Sequence, residues 1–222
     1  MTAVGKTAAR MVAEPATGKP AIGEWLSRRM RQLRPEQAAQ LVEFAVTLPL
    51  LVVFVVGIFD FSSAFTLKQR LTNIARDAAR AAAADPANDL LQPSSALPQS
   101  VTDAFHTVDN DLLASKLNDC GATASGSPSG LTWTFTANGN GCPSVGLTIT
   151  INRGYYFPPT GAGLPTESCA AQTPNGQTTL IGTCVSIQYF YPWRFARAAS
   201  LLGAGAVLPP QVAGVAVAFN EN

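Results

Sequence analysis

The chain has 222 residues, 47% of them apolar and 13% charged, with a formal net charge of +1. That length allows one ordinary domain plus a membrane segment and is short for two full domains. The near-zero charge sets up no global field that would favour nucleic acid or an acidic polymer as partner, and charged residues are about half as frequent as the roughly 25% usual in soluble domains.

Residues 1–24, rich in Ala, Gly, Thr and Pro, show no periodicity, and residues 1–38 as a whole are expected to form a disordered basic leader. Residues 1–40 hold seven Lys/Arg against three Glu, and Arg28, Arg29, Arg31 and Arg34 stand just before an apolar run. Trp25–Leu33 fits a short basic amphipathic turn at a membrane surface. Pro35 and Glu36 suit a helix start, the first because its missing N–H is not needed there, the second because of the helix dipole.

Between Leu41 and Leu67 the only ionisable residues are Glu43 and Asp60. The uncharged 16 residues Phe44–Phe59 fall somewhat short of the roughly 20 that cross about 30 Å of hydrocarbon. Leu41, Val42, Phe61 and the small residues to Leu67 make up the length, with both carboxylates near the interfaces. Two other readings compete: a buried core helix of a soluble protein, and a cleaved secretory signal. Against the signal stand the length of the run, its start well inside the chain and the lack of a clear A-x-A site. The arginines before the run outweigh Lys68 and Arg70 after it. The positive-inside bias therefore puts the N-terminus in the cytoplasm and the C-terminal domain outside the cytoplasmic (inner) membrane.

Pro49 inside the run removes a helix hydrogen bond, a cost on the order of 3 kcal/mol in water that membrane helices tolerate better. A slight kink or an unwound turn near Ala45–Pro49 is expected. A carboxylate at the mouth of an apolar helix is costly, so Glu43 is expected to have a partner or a role. For Asp60, near the other interface, plain interfacial solvation is the simpler reading.

The helix is expected to continue past the membrane. Leu67, Leu71, Ile74, Ala75, Ala78, Ala79 and Ala82 carry on the apolar stripe in strongly helix-forming sequence, and the first clear stop is Asp85-Pro86. A helix from Pro35 to Ala84 would measure roughly 75 Å, too long to bury whole on one small domain. Either it packs against other subunits, which its small residues permit, or its end folds back as a separate segment. Residues 85–98 read as a Pro/Ser linker. Val101, Phe105, Val108, Leu112, Leu113 and Leu117 then keep helical spacing. Beyond them the period changes: Leu131–Ala137, Val145–Asn152 and Cys184–Tyr191 alternate, Val212–Phe219 does so more weakly, and turn-rich stretches (Gly121–Gly130, Asn138–Gly141, Pro158–Pro165) separate them. The expected fold class is α+β: a transmembrane helix and its extension over residues 39–84, then a head domain over residues 99–222 with a small antiparallel sheet and one further helix.

Cys120, Cys142, Cys169 and Cys184 all follow the apolar run and contain no C-x-x-C spacing, which argues against zinc. An even number in a loop-rich region points to disulfides and an oxidising compartment. Of three possible pairings, Cys120–Cys142 with Cys169–Cys184 is preferred, since each closes a loop beside an expected strand. The single histidine, His106, lies between Asp103 and Asp109 on the expected helix, where a solvated residue is the ordinary reading. No G-x-S-x-G is present, and Gly161-Ala-Gly163 follows no suitable strand for a phosphate loop. The aromatic residues Tyr155, Tyr156, Phe157, Tyr189, Phe190, Tyr191 and Trp193 read first as core and second as a subunit or ligand surface. Nothing assembles an active site, so neither an enzyme nor a cofactor is expected.

One further pattern is informative. Gln40-Leu-Val-Glu43-Phe-Ala-Val-Thr-Leu-Pro49-Leu-Leu, Gly57-Ile-Phe-Asp60-Phe, Ala64-Phe, Leu71-Thr-Asn73 and Ala75-Arg-Asp-Ala-Ala-Arg80 resembles the TadE/TadG-like family, minor pilins or pseudopilins of the bacterial tight-adherence (Flp) pilus. The resemblance implies a pilin-like stem, an exported head, and partners in the membrane, other pilin-like subunits and the tight-adherence secretion machinery. It also implies a prepilin peptidase that cuts just before the helix. With the carboxylate at the fifth mature position, transfer onto Glu43 puts the cut between Ala38 and Ala39. There Glu43 would pair with the new N-terminal ammonium of an adjoining subunit. The family pattern has Gly before the cut and this chain has Ala38, so processing and retention as an anchored protein both stay open. Pro49, Gly57 and Asp60 are the positions expected to shape helix packing. An alternative function is an unprocessed, membrane-anchored binding module whose aromatic and Thr-rich head recognises a glycan or protein.

Overall fold

The computed structural model of the chain describes residues 35–90, 96–143, 145–156, 169, 181–200 and 208–221. The leader before Pro35, the amphipathic turn at Trp25–Leu33, the turn at Pro158–Pro165, Phe157 and Gly161–Gly163 lie outside the described residues. Two compact units are present, residues 1–51 and 52–222, and one helix, α1 (Pro35–Ala84), runs through both.

In the first unit, every described side chain from Ala39 to Leu51 is exposed. The helix is uninterrupted at Pro49, so no turn is unwound there. One turn earlier the Thr47 hydroxyl donates to the carbonyl of Phe44.

In the second unit, α1 changes character along its length. Large apolar side chains stay at least 42% exposed through Val52, Phe54, Val55, Ile58, Phe59 and Phe61, whereas Leu71, Ala75, Ala78, Ala79 and Ala82 are fully buried. Only 6% of the most apolar window is buried, and this helix is long and apolar enough to cross a membrane. This exposure is consistent with a membrane span and differs from a core helix, which would hide this surface within its own chain. Leaving that many large side chains in water would forgo about 2 kcal/mol each.

The buried positions Ala64, Leu67, Leu71, Ile74, Ala75, Ala78, Ala79, Ala82 and Ala83 recur at three- and four-residue steps, which places them on one face of a 3.6-residue helix. That face packs on a sheet of five antiparallel strands in sequence order: β1 (Ser127–Ser129), β2 (Thr132–Ala137), β3 (Leu147–Tyr156), β4 (Ile181–Phe190) and β5 (Gln211–Phe219). Alternation of side chains along each strand sends Trp133 and Phe135, Ile149 and Ile151, and Val185 and Ile187 into one core with the α1 face. The second helix, α2 (Gln99–Ala114), adds Val101, Ala104, Phe105, Val108 and Leu112 to that core, and the Phe105 and Phe135 rings meet at 4.7 Å. Contact between β5 and α1 is so close that a Cβ on Gly214 would lie 2.5 Å from the carbonyl carbon of Leu71, so only glycine fits.

The α+β architecture expected from the sequence is the one observed. The end of α1 does not fold back as a separate segment; it is the helical layer of the head. The structure adds three elements to the expected set: the short β1 inside a stretch read as turns, the 3-10 turn Ala87–Leu90 inside the stretch read as linker, and a short helix α3 (Arg194–Ser200). The disulfides are Cys120–Cys142 and Cys169–Cys184. The first joins the turn after α2 to the turn after β2. The second holds the buried Cys169 against β4, beside Tyr155.

Candidate functional site

Two polar clusters tie α1 to the rest of the head, one at each end of its contact with the sheet. The lower one is built on Gly57, Asp60 and Phe61. After β4 the chain passes Tyr191-Pro-Trp193 and turns into α3, and this segment lies across α1. The Tyr191 hydroxyl is 2.9 Å from both Asp60 Oδ1 and the Asp60 carbonyl, and the Phe195 backbone N–H donates to Asp60 Oδ2 at 2.8 Å. Asp60 is only 5% exposed. Interfacial solvation is therefore not its role: a buried carboxylate persists here because both of its oxygens accept hydrogen bonds. Burial and the neighbouring Asp60 carboxylate both push the Tyr191 phenol above its usual range, which keeps it a neutral donor.

The apolar half of this clasp explains Gly57. A Cβ there would stand 3.0 Å from the Phe195 ring, so the missing side chain is what lets Phe195 lie flat on the helix. Phe61 stacks obliquely on Trp193 at 5.3 Å and on Phe195 at 5.8 Å, and Trp193 donates its indole N–H to the Pro209 carbonyl. Spacing alone accounts for the motif: on a helix Gly57, Asp60 and Phe61 at i, i+3 and i+4 share one side.

The upper cluster centres on Arg153, 1% exposed, on a β3 segment where the register slips between Asn152 and Tyr155. Such a bulge re-aims side chains, and Arg153 reaches the end of α1. Its Nε lies 3.0 Å from Asp89 Oδ2 and its Nη2 3.2 Å from Asp89 Oδ1, a two-pronged pair. Nη1 donates to the Ala82 carbonyl, to Thr183 Oγ1 at 2.9 Å and to Asn220 Oδ1 at 3.2 Å. A cation thus meets the carbonyl-rich end of a 50-residue helix, where the macrodipole favours positive charge. Burial opposes the charge on Asp89, but the hydrogen bonds from Arg153 and Ser100 outweigh it and hold this carboxyl below its usual range. Burial and nearby Asp103 push Asp85 the other way.

The remaining expected positions lie apart. Glu43 and Pro49 are exposed on the first unit, Ala39 is exposed near the start of α1, and Ala38 is within the helix. His106 is exposed on α2, its ring edge-on to Phe105 at 5.8 Å. Among the described residues no group of three or more His, Cys, Asp or Glu is placed to hold a metal. Sequence reading took the Tyr191 and Trp193 aromatics first as core and second as a subunit or ligand surface, and it assigned Arg153 and Asp89 no role. The one available signal was a lone Arg inside a strand of otherwise apolar alternation.

Residues 38–80, about a fifth of the chain, match the family model described as TadE-like protein. No curated protein and no solved structure matches the chain. The matched segment ends at Arg80, inside α1, and contains Gly57 and Asp60 but none of their partners on the sheet side.

Proposed function

We propose that this chain, with its TadE-like stem over residues 38–80, is a minor pilin or pseudopilin of a tight-adherence (Flp-type) pilus. In this reading residues 1–38 are a cytoplasmic leader, α1 crosses the inner membrane, and the disulfide-bonded head stands outside it. One observation carries the reading: a single helix joins an exposed apolar segment bearing Glu43 to an Ala-rich face packed on a sheet. A plain tether needs no helical continuity between membrane and head, whereas a subunit that moves from bilayer to filament needs a stem that keeps its length in both. Glu43, exposed in an apolar surround, is free to meet the terminal ammonium of a neighbouring copy once the leader is cut between Ala38 and Ala39. The head then contributes to surface adhesion.

The test is the native N-terminus, read by mass spectrometry on membranes and on sheared pili from the producing cells. A mature chain starting at Ala39, present in the pilus fraction and absent from it in a Glu43→Ala strain, is the expected result. An intact Met1 in every fraction would overturn processing and leave the anchored binding module as the better account.

A further inference from the structure

The clasp leaves a cavity of about 630 Å³ on the flank of α1, with Val55, Val56, Phe59, Asp60, Tyr191 and Arg194 in its lining. Its composition is graded along the helix. At one end stand Val55 and Phe59, exposed members of the apolar run; toward the other are Ser63 and the Tyr191 hydroxyl on Asp60, and the exposed Arg194 lines the same cavity. Asp60, the only acid in the lining, already accepts from Tyr191 and from the Phe195 N–H. Among the described residues the ion pair is that of Arg153 with Asp89, and Arg194 enters none. Of the charged residues in the lining, Asp60 has its hydrogen bonds within the clasp and Arg194 is the cation left to a ligand.

We propose that this cavity binds one anionic phospholipid of the leaflet on the head's side, with its phosphate on Arg194 and an acyl chain along Val55, Val56 and Phe59. The inference rests on reading α1 as a membrane span. Three features favour a lipid over a partner's helix. The cavity straddles the level where the apolar run gives way to Ser62 and Ser63, as the boundary between tails and headgroups requires. It is lined by Tyr191, whose amphipathic ring suits that boundary. Its free charge is cationic and forked, the geometry that takes a phosphate with two hydrogen bonds.

The experiment uses the full chain in nanodiscs of phosphatidylcholine, with and without phosphatidylglycerol, and native mass spectrometry of lipid retained on mild release. Wild type should retain one phosphatidylglycerol in preference to phosphatidylcholine. Arg194→Glu should cut that retention about tenfold, the size of one lost charge-assisted contact, and Arg194→Lys should recover part of it. Val56→Trp, which fills the cavity without touching charge, should also displace the lipid. Intact disulfides in each variant show that the head has folded. Equal retention of both lipids, or full retention by Arg194→Glu, overturns the site while the span stands. A copy-to-copy crosslink through Val55 with no lipid retained overturns it in favour of a helix partner. A chain that never enters the nanodisc overturns the span reading and the site together.

Discussion

Asp60 carries the tightest coupling between sequence and position in this molecule. A carboxylate at the edge of an apolar run is tolerable in two ways, by reaching water or by finding donors, and here the donors come from residues 131 and 135 positions further along the chain. Asp60→Ala would leave the Phe195 N–H without its acceptor and the Tyr191 hydroxyl with only the residue 60 carbonyl, at a cost of about 1–3 kcal/mol. Asp60→Asn keeps one acceptor and faces an N–H₂ toward the other donor, so its effect should be intermediate. Because Arg194 and Arg197 are exposed, loosening the clasp should speed tryptic cleavage at these residues in detergent-solubilised protein, in the order Ala, Asn, wild type. Equal rates for all three would show that the carboxylate does not hold this segment. The same assay applies to Gly57→Val, where added carbons meet the Phe195 ring.

Among the elements, the end of α1 depends most on remote partners. Arg153→Met would leave the half-buried Asp89 with only the Ser100 hydroxyl as donor and the Ala82 carbonyl without its guanidinium, a loss of about 1.5–3 kcal/mol. Asp89→Asn together with Arg153→Met should cost less than the sum of the two single changes. The pH dependence has a definite sign. A carboxyl held below its usual range when folded adds stability above its unfolded pKa, roughly 3.9, and that stability is lost as pH falls through the lower folded value. Asp85, Asp109 and Asp111 are shifted upward by burial and by neighbouring carboxylates, so their ionised forms are destabilising at neutral pH, and that penalty is relieved as pH falls toward roughly 3.9, before the Asp89 loss sets in. Thermal melts between pH 3 and 7 should therefore show an acid limb that Asp89→Asn flattens; an unchanged limb would mean that other groups set it. The disulfides act on the unfolded chain instead. Cys120–Cys142, 22 positions apart, and Cys169–Cys184, 15 apart, should each be worth about 3 kcal/mol by loop closure, read as a drop in denaturation midpoint on Cys→Ser replacement of either pair.

For the whole molecule, what could be read from sequence was what repeats locally. The Ala/Leu stripe of α1, the α2 spacing and the alternation in β2, β3 and β4 each repeat with the period of their element, so periodicity exposes them. β1 lies in a Gly/Ser/Pro stretch with no apolar alternation and exists because β2 offers it an edge. The ion pair of Arg153 with Asp89 and the hydrogen bond of Tyr191 with Asp60 join residues 64 and 131 positions apart. No period spans such distances, and for that reason the clasp and the helix cap were not legible. Gly57 and Asp60 could be singled out as packing positions, but which surface they pack against could not.

The close crossing of β5 over Leu71 bears on how the protein is made. A ribosome releases the stem long before Gly214 or Asn220 exists, so the close packing on Leu71 and one of the acceptors of Arg153 are supplied only when these late residues arrive. A chain that ends before β5 lacks the strand that crosses Leu71 and one acceptor of Arg153, so it should be digested by protease faster than the full chain.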